Sequence, residues 1–203
     1  MQFNELATDE VLQTTKQALE QNGFSVHIAE NTDQAKEFAQ QLIPQGSEVM
    51  TMTSETLRTL GLEDHFNNSE TYQPVREKFY SMNAESDAVA KLKLGAAPEH
   101  TIGSVHAITQ DGKVLVASNT GSQLPAYAYG SAHVVWVVGA QKIVKNFEEG
   151  MQRINEYVLP LESERARKAY GVEGSFVSKL LVFNKEVNPE RINIILVKQQ
   201  LGF

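Results

Sequence analysis

The stretch "AHVVWVVGA" (132–140) decides the fold, because hydrophobic residues fill it without alternation of apolar and polar positions. A strand with one face in water places a polar side chain at every second position. A strand without that alternation is buried on both faces, as in parallel sheets that helices cover on both sides. The stretch therefore predicts a central strand of an α/β protein.

The N-terminal third supports this prediction by alternating strand-like and helix-like segments. "FSVHIAE" (24–30) and "SEVMTMT" (47–53) are typical of strands. The spacing of apolar residues predicts helices over about 5–22 and 31–44, and Ser54 is a suitable N-cap for the helix that follows. This alternation implies parallel strands joined by right-handed crossovers.

The second half begins with a predicted hairpin. "TIGSVHAIT" (101–109) and "KVLVASN" (113–119) flank the turn pair Asp111-Gly112. Two closing strands follow within "SFVSKLLVFNKE" (175–186) and "RINIILVKQQLGF" (191–203). The last of these is expected either inside the sheet or at an edge that serves dimerisation.

The remaining segments are predicted to be helical, over 63–100 and, interrupted by Pro160, over 147–171. No Pro/Gly/Ser-rich linker divides the chain. We therefore predict a single α/β domain over residues 1–203, built on a mixed, largely parallel open sheet with flanking helices.

Composition narrows the function classes. The chain has 18 Lys and Arg against 25 Asp and Glu, a formal charge of −7, which gives no long-range attraction for nucleic acid or anionic membranes. Cysteine is absent, which removes disulfides and thiolate metal ligands. The sequence shows no secretory signal pattern and no long apolar run. A cytoplasmic protein without nucleic-acid or membrane partners is expected.

Several segments together resemble one known family. They are 49–62 ("VMTMTSETLRTLGL"), 101–144, 157–171 ("YVLPLESERARKAYG"), 174–183 ("GSFVSKLLVF") and 192–203 ("INIILVKQQLGF"). The chain is similar to the lactate-utilization domain (LUD) family, which includes LutC-type proteins. The resemblance implies a NagB/RpiA/CoA-transferase-like fold. It also implies operons for lactate oxidation with iron–sulfur partner proteins, and a LutC-type subunit without a cluster of its own.

Two loops are predicted to form a binding site, since ligands of open α/β sheets bind beyond the carboxyl ends of the strands. Both loops are rich in hydroxyl and amide side chains that can donate to an anion, and a glycine in one permits close approach. The candidates are Thr53, Ser54, Thr56, Asn119, Thr120, Gly121, Ser122 and Gln123. The alternative is that 119–122 is an ordinary turn and that Ser54 only caps a helix.

Other residues have two interpretations each. Lys142 either neutralises a bound anion or is an exposed lysine at a strand end. His106 is either a general base or a hydrogen-bonded structural histidine. His106 and His133 lie in segments that could be neighbours, but no third ligand has suitable spacing, so no metal site is predicted. Tyr127 and Tyr129 either stack on a planar ligand or pack against the core.

The helix "LESERARKAYG" (161–171) carries charges at i, i+3 and i+4 spacing. Glu162 can pair with Arg165, and Glu164 with Lys168. A solvated helix face is the first interpretation of this pattern. The alternative is that Arg165 or Arg167 reaches an anion or a partner chain.

Two functions from different classes follow. The first is binding of a small anionic metabolite (an organic acid, a sugar phosphate or an acyl-CoA-like thioester), linked to lactate or organic-acid utilisation, with no resident cofactor. The second is a non-catalytic accessory or regulatory subunit of a redox pathway that acts through protein partners. A homo-oligomer is a further expectation, and enzyme status stays open.

Overall fold

The computed structural model describes residues 3–203 and contains two sheets. The main sheet is entirely parallel. Its strands, in spatial order, are β1 (Ser25–Ala29), β10 (Ile192–Val197), β7 (His133–Gly139), β4 (His100–Gly103), β2 (Glu48–Thr51) and β3 (Gln73–Pro74). Strand β7 pairs with β10 on one side and β4 on the other, and it is buried from residue 134 to 139. The predicted central strand and the α/β fold class are confirmed.

The two faces of β7 explain its unbroken hydrophobicity. Trp136 belongs to a core that includes Leu12 of the N-terminal helix, whereas Val135 and Val137 belong to a second core that includes Leu57. The helices are α1 (Asp9–Gln21), α2 (Thr32–Leu42), α3 (Glu55–Leu60), α4 (Leu62–Asn67), α5 (Val75–Ser81), α6 (Ala88–Ala96), α7 (Phe147–Gln152) and α8 (Leu159–Tyr170). Within residues 3–203, no helix is long and apolar enough to cross a membrane.

The predicted first hairpin strand (101–109) is two strands, since its first residues belong to β4 of the main sheet and only Ala107–Thr109 pair antiparallel with the second hairpin strand. That hairpin lies in a separate four-stranded sheet. Its strands, in spatial order, are β8 (Ile143–Val144), β5 (Ala107–Thr109), β6 (Val114–Ser118) and β9 (Lys179–Phe183). Strand β6 is buried on both faces: Val116 packs toward the main sheet, and Leu115 packs with Ile154 of the helical layer beyond. The single mixed sheet that we expected is therefore two sheets, because the chain leaves the main sheet after β4.

The helical run after β8 is continuous, so the predicted interruption at Pro160 is wrong. Residues Arg153–Val158 form a π-helical segment between α7 and α8. Proline lacks an N–H group and clashes with the carbonyl four residues earlier in a regular α-helix. The wider turns just before Pro160 accommodate both effects.

The last strand, β10, lies between β1 and β7, so its alternative assignment to an edge is wrong. The residues after it return along the carboxyl edge of the sheet. There the Gln141 side chain donates to the Leu201 carbonyl (2.8 Å) and accepts from the Leu201 N–H (3.3 Å). This clasp makes the segment around Leu201 part of the region that holds the candidate site.

Candidate functional site

A cavity of about 770 Å³ opens where β2, β4 and β7 end. Residues 52–56 follow β2, residues 104–106 follow β4, and Lys142 lies in the short 3₁₀ turn after β7. Residues 117–120 and 122–123, at the end of β6, form the opposite wall. The structure therefore brings the two loops selected from the sequence together around one cavity, at the carboxyl edge of the parallel sheet.

The hydroxyl side chains after β2 have different surroundings. Ser54 accepts from a backbone N–H of α3 (3.4 Å), so it caps that helix as predicted. Thr53 accepts from Arg76 (2.7 Å). Thr56 is buried and donates to the Leu201 carbonyl (3.3 Å). Of the three, Thr56 is therefore the one fixed deepest in the site.

The loop after β6 is held by its own hydrogen bonds. The Gly121 N–H donates to Ser118 (2.9 Å), and Thr120 donates to Ser122 (3.2 Å). Gly121 has φ +88° and does not itself line the cavity; a Cβ there would lie 2.7 Å from Lys179 Cδ. The predicted residues that do line it here are Asn119, Thr120, Ser122 and Gln123. The turn therefore presents polar side chains at the mouth and needs glycine for its shape.

Lys142 is only 3% exposed, so the exposed-lysine interpretation is wrong. Its Nζ atom lies 3.2 Å from each of Thr56 Oγ1, Ser104 Oγ and the Val105 carbonyl oxygen. Burial lowers the pKa of this amine well below its ordinary value, and the positive charge of Arg153 lowers it further. No carboxylate pairs with Lys142 in the described part of the chain.

Arg153 is completely buried in the π-helical segment and was not identified from the sequence. One of its nitrogens donates to the His106 carbonyl (2.6 Å), while Nε and the other terminal nitrogen have no hydrogen-bond partner. Burial lowers the pKa of the guanidinium to about 10, so it remains charged at neutral pH. Its sequence context is an ordinary helix pattern, which gives no sign of this burial.

His106 presents a hydrogen-bond donor to the cavity. Its Nδ1 atom accepts from the Ala117 backbone N–H (3.1 Å), which places the ring proton on Nε2. Burial, followed by the charges of Lys142 and Arg153, lowers its pKa to about 3, so the ring is neutral near pH 7. A general base at Nε2 needs the opposite tautomer, so this geometry favours a neutral N–H donor instead.

The expectation that His106 and His133 lie in neighbouring segments is wrong. His133 lies at the amino end of β7, where its ring stacks on His100 at a centroid distance of 4.7 Å, and not beside His106. Within residues 3–203, no three His, Asp or Glu side chains are grouped so that they could hold a metal ion. Tyr127 is buried against Trp136, as the packing interpretation expected, whereas Tyr129 is 91% exposed.

Ser104 lines the cavity and was missed by our sequence analysis. It directly follows β4 and is partly buried. The Tyr127 hydroxyl donates to its carbonyl (3.4 Å), and a Cβ at Gly103 would lie 1.8 Å from that hydroxyl. The rule that selected Thr53 could also have selected Ser104, because each hydroxyl residue follows a strand of the main sheet at its carboxyl end, Thr53 after β2 and Ser104 after β4.

A third basic residue, Arg165, also lines the cavity, but it is paired with a carboxylate. Arg165 makes two hydrogen bonds to the Glu162 carboxylate, at 2.7 and 2.8 Å, and both residues line the cavity. The predicted pairs Glu162–Arg165 and Glu164–Lys168 are both present. The charge of Arg165 is thus neutralised locally, unlike that of Arg153.

Comparisons with known proteins agree with the fold. A family model described as the LUD domain matches residues 12–197. Among solved structures, the chain is similar to a DUF162 family protein from Deinococcus radiodurans, with a TM-score of 0.57 and 13% identity, over 95% of this chain and 99% of that chain. At this identity the likeness shows the fold alone. A search of curated proteins found no match.

Proposed function

The chain belongs to the LUD domain family, and on that premise we propose that its cavity binds a small anionic metabolite. The observation that carries the proposal is a buried amine on the cavity wall, Lys142, and near it a buried guanidinium, Arg153, which bonds to the backbone of His106 and does not itself line the cavity. Neither has a carboxylate partner in residues 3–203. Buried charges in proteins are normally paired. An anion in the cavity would supply the missing negative charge.

Neutral donors and apolar side chains complete such a site. The Nε2–H of His106 and the hydroxyl of Ser104 can donate to anionic oxygens without adding charge. Val105, Ile154 and Val158 also line the cavity and can cover a carbon skeleton. Small-molecule sites combine such orienting polar groups with apolar side chains.

The volume of the cavity supports a ligand larger than a three-carbon acid. A volume of about 770 Å³ lies in the upper part of the range for drug-sized ligands. A sugar phosphate or an acyl thioester therefore fits better than lactate alone. The link to lactate and organic-acid utilisation, its protein partners, the cytoplasmic location and the homo-oligomer stay predictions.

Binding should be coupled to a proton. Because the pKa of Lys142 is lowered, burial favours its neutral amine, and a bound anion favours the ammonium form. Ligand affinity should then rise as the pH falls, since binding takes up a proton. Calorimetry in two buffers with different ionisation enthalpies would measure that uptake.

A thermal-shift screen against organic acids, sugar phosphates, nucleotides and coenzyme A tests the proposal. A ligand at 100 times its Kd stabilises the protein by about 2.7 kcal/mol, which raises Tm measurably. The shift should disappear in Lys142→Met and persist in Lys145→Met, since Lys145 is exposed outside the cavity. A shift that survives Lys142→Met, or no shift with any compound, would contradict the proposal.

A further inference from the structure

The three atoms around Lys142 Nζ fix the direction of each hydrogen bond. The Val105 carbonyl can only accept, and the Thr56 hydroxyl has already committed its proton to the Leu201 carbonyl. Both must therefore receive an N–H from Lys142. Only the Ser104 hydroxyl, 3.2 Å away, is free to donate in return.

A neutral amine matches these roles, because it has two N–H donors and one lone pair. As an ammonium group, Nζ donates to all three oxygens. As a neutral amine it keeps its two N–H donors on Thr56 and Val105, and its lone pair can accept from the Ser104 hydroxyl. Burial without a carboxylate, next to the charge of Arg153, favours this neutral form. The arrangement thus places a base behind a hydroxyl that itself lines the cavity.

We propose that Ser104 is a nucleophile with Lys142 as its general base, and that the cavity hydrolyses an ester or thioester of an anionic organic acid. The acyl carbon of this substrate, and not its charged group, faces Lys142, so that the amine stays neutral. The anionic character of the substrate rests on the proposed function, whereas the Ser104–Lys142 pair rests on the geometry above. A serine beside a lysine base is a chemically sufficient arrangement for acyl transfer.

The reaction balances with water as the only co-reactant. Ser104 Oγ attacks the acyl carbon while its proton passes to Lys142 Nζ, and the departing alkoxide or thiolate takes that proton. Water then attacks the acyl-serine and gives a proton to Lys142, which returns it to Ser104 Oγ as the ester bond breaks. The products are a carboxylic acid and an alcohol or thiol.

Neighbouring groups hold this pair in place. The Tyr127 hydroxyl bonds to the Ser104 carbonyl, and the absent side chain of Gly103 lets the ring come that close.

The N–H of His106 is the neutral donor available to the developing oxyanion, and Arg153 beneath it supplies positive potential.

A fluorophosphonate probe with mass spectrometry of the intact protein and its peptides tests the pair. The probe should label wild-type protein at Ser104, and Ser104→Ala should abolish labelling. Lys142→Met should slow it by about 10²- to 10⁴-fold, the usual contribution of a general base. Ser86→Ala, which removes an exposed hydroxyl outside the cavity, should label at the wild-type rate. Melting temperatures must first show that each variant is folded.

Two results separate this inference from the proposed function. Anions that stabilise wild type and Ser104→Ala equally, without any labelling of Ser104, would overturn the pair and leave the binding cavity in place. Labelling that depends on Ser104 and Lys142, without stabilisation by any anion, would support the pair and overturn the anionic substrate. Equal labelling of Lys142→Met and wild type would also overturn the pair.

Discussion

Two arginines are almost equally buried, yet their surroundings differ completely. Arg191, 7% exposed, pairs with Glu186 at 2.8 Å and donates to three backbone carbonyls. Arg153, 0% exposed, donates to one carbonyl and leaves two nitrogens without partners. Burying a charge without partners costs stability. The comparison indicates that Arg191 stabilises the fold, whereas burial of Arg153 costs the fold stability. Arg153 lies next to the cavity, which suggests that its role is there.

The largest expected effect is on stability, in Arg191→Met. The change leaves the carboxylate of Glu186 buried without its partner and removes the side-chain donor from three carbonyls. A broken buried pair of this kind costs about 3–5 kcal/mol. Urea denaturation followed by circular dichroism measures the loss.

Arg153→Met is the matched control for that prediction. It removes the donor to the His106 carbonyl and the contact of the guanidinium with the Tyr157 ring (5.3 Å), but it also removes a charge with no carboxylate partner. The free energy of unfolding should therefore change by no more than about 1–2 kcal/mol. If both variants lose the same free energy of unfolding, the different surroundings of the two arginines do not affect stability.

The next effect is acid sensitivity through His106. Its pKa is lowered to about 3 in the folded protein, so between pH 6.5 and about 3 the unfolded state binds more protons. The contribution of His106 to the free energy of unfolding should therefore fall as the pH drops through this window, by up to about 1.4 kcal/mol per pH unit, and stay constant above it.

Denaturation of wild type and Arg153→Met at several pH values checks this slope. Removing the charge of Arg153 should raise the pKa of His106, because that charge is one cause of its depression. The variant should then lose less stability on acidification. The same slope in both proteins would mean that Arg153 does not influence the imidazole.

The smallest effect is expected at the rim, in Glu162→Gln. Arg165 and Glu162 are partly exposed, so the loss of their ion pair should cost about 0.2–1 kcal/mol. The freed Arg165 also lines the cavity and should strengthen the binding of any anion found in the screen. Calorimetric titration of both proteins measures this change, and weaker binding in the variant would contradict it.

The fold was predictable from the sequence wherever a hydrophobic pattern has only one structural explanation. The unbroken hydrophobic run at 134–138 is buried on both faces, as predicted. The alternation of strand and helix in the N-terminal third corresponds to parallel strands, also as predicted. The division into two sheets was not predictable, because β6 shows the same burial pattern for a different reason. Its second face meets the helical layer around Ile154.

The site was predictable only in its loops. Residues 53–56 and 119–123 follow strand ends, and that rule needs no tertiary information. The burial of Lys142 depends on Thr56 and the segment around Leu201, which lie far from it in sequence. Arg153 depends on a π-helical turn that no local pattern announces.

The position of β10 also constrains the order of events during synthesis. Strand β1 has β10 as its neighbour in the sheet, although 162 residues lie between Ala29, the last residue of β1, and Ile192, the first of β10. The clasp between Gln141 and Leu201 closes later still. A ribosome must therefore release almost all of the described chain before β1 can pair, and the nascent protein holds an exposed hydrophobic strand until then. Such long-range pairing folds slowly, and strands left unpaired meanwhile are prone to aggregation.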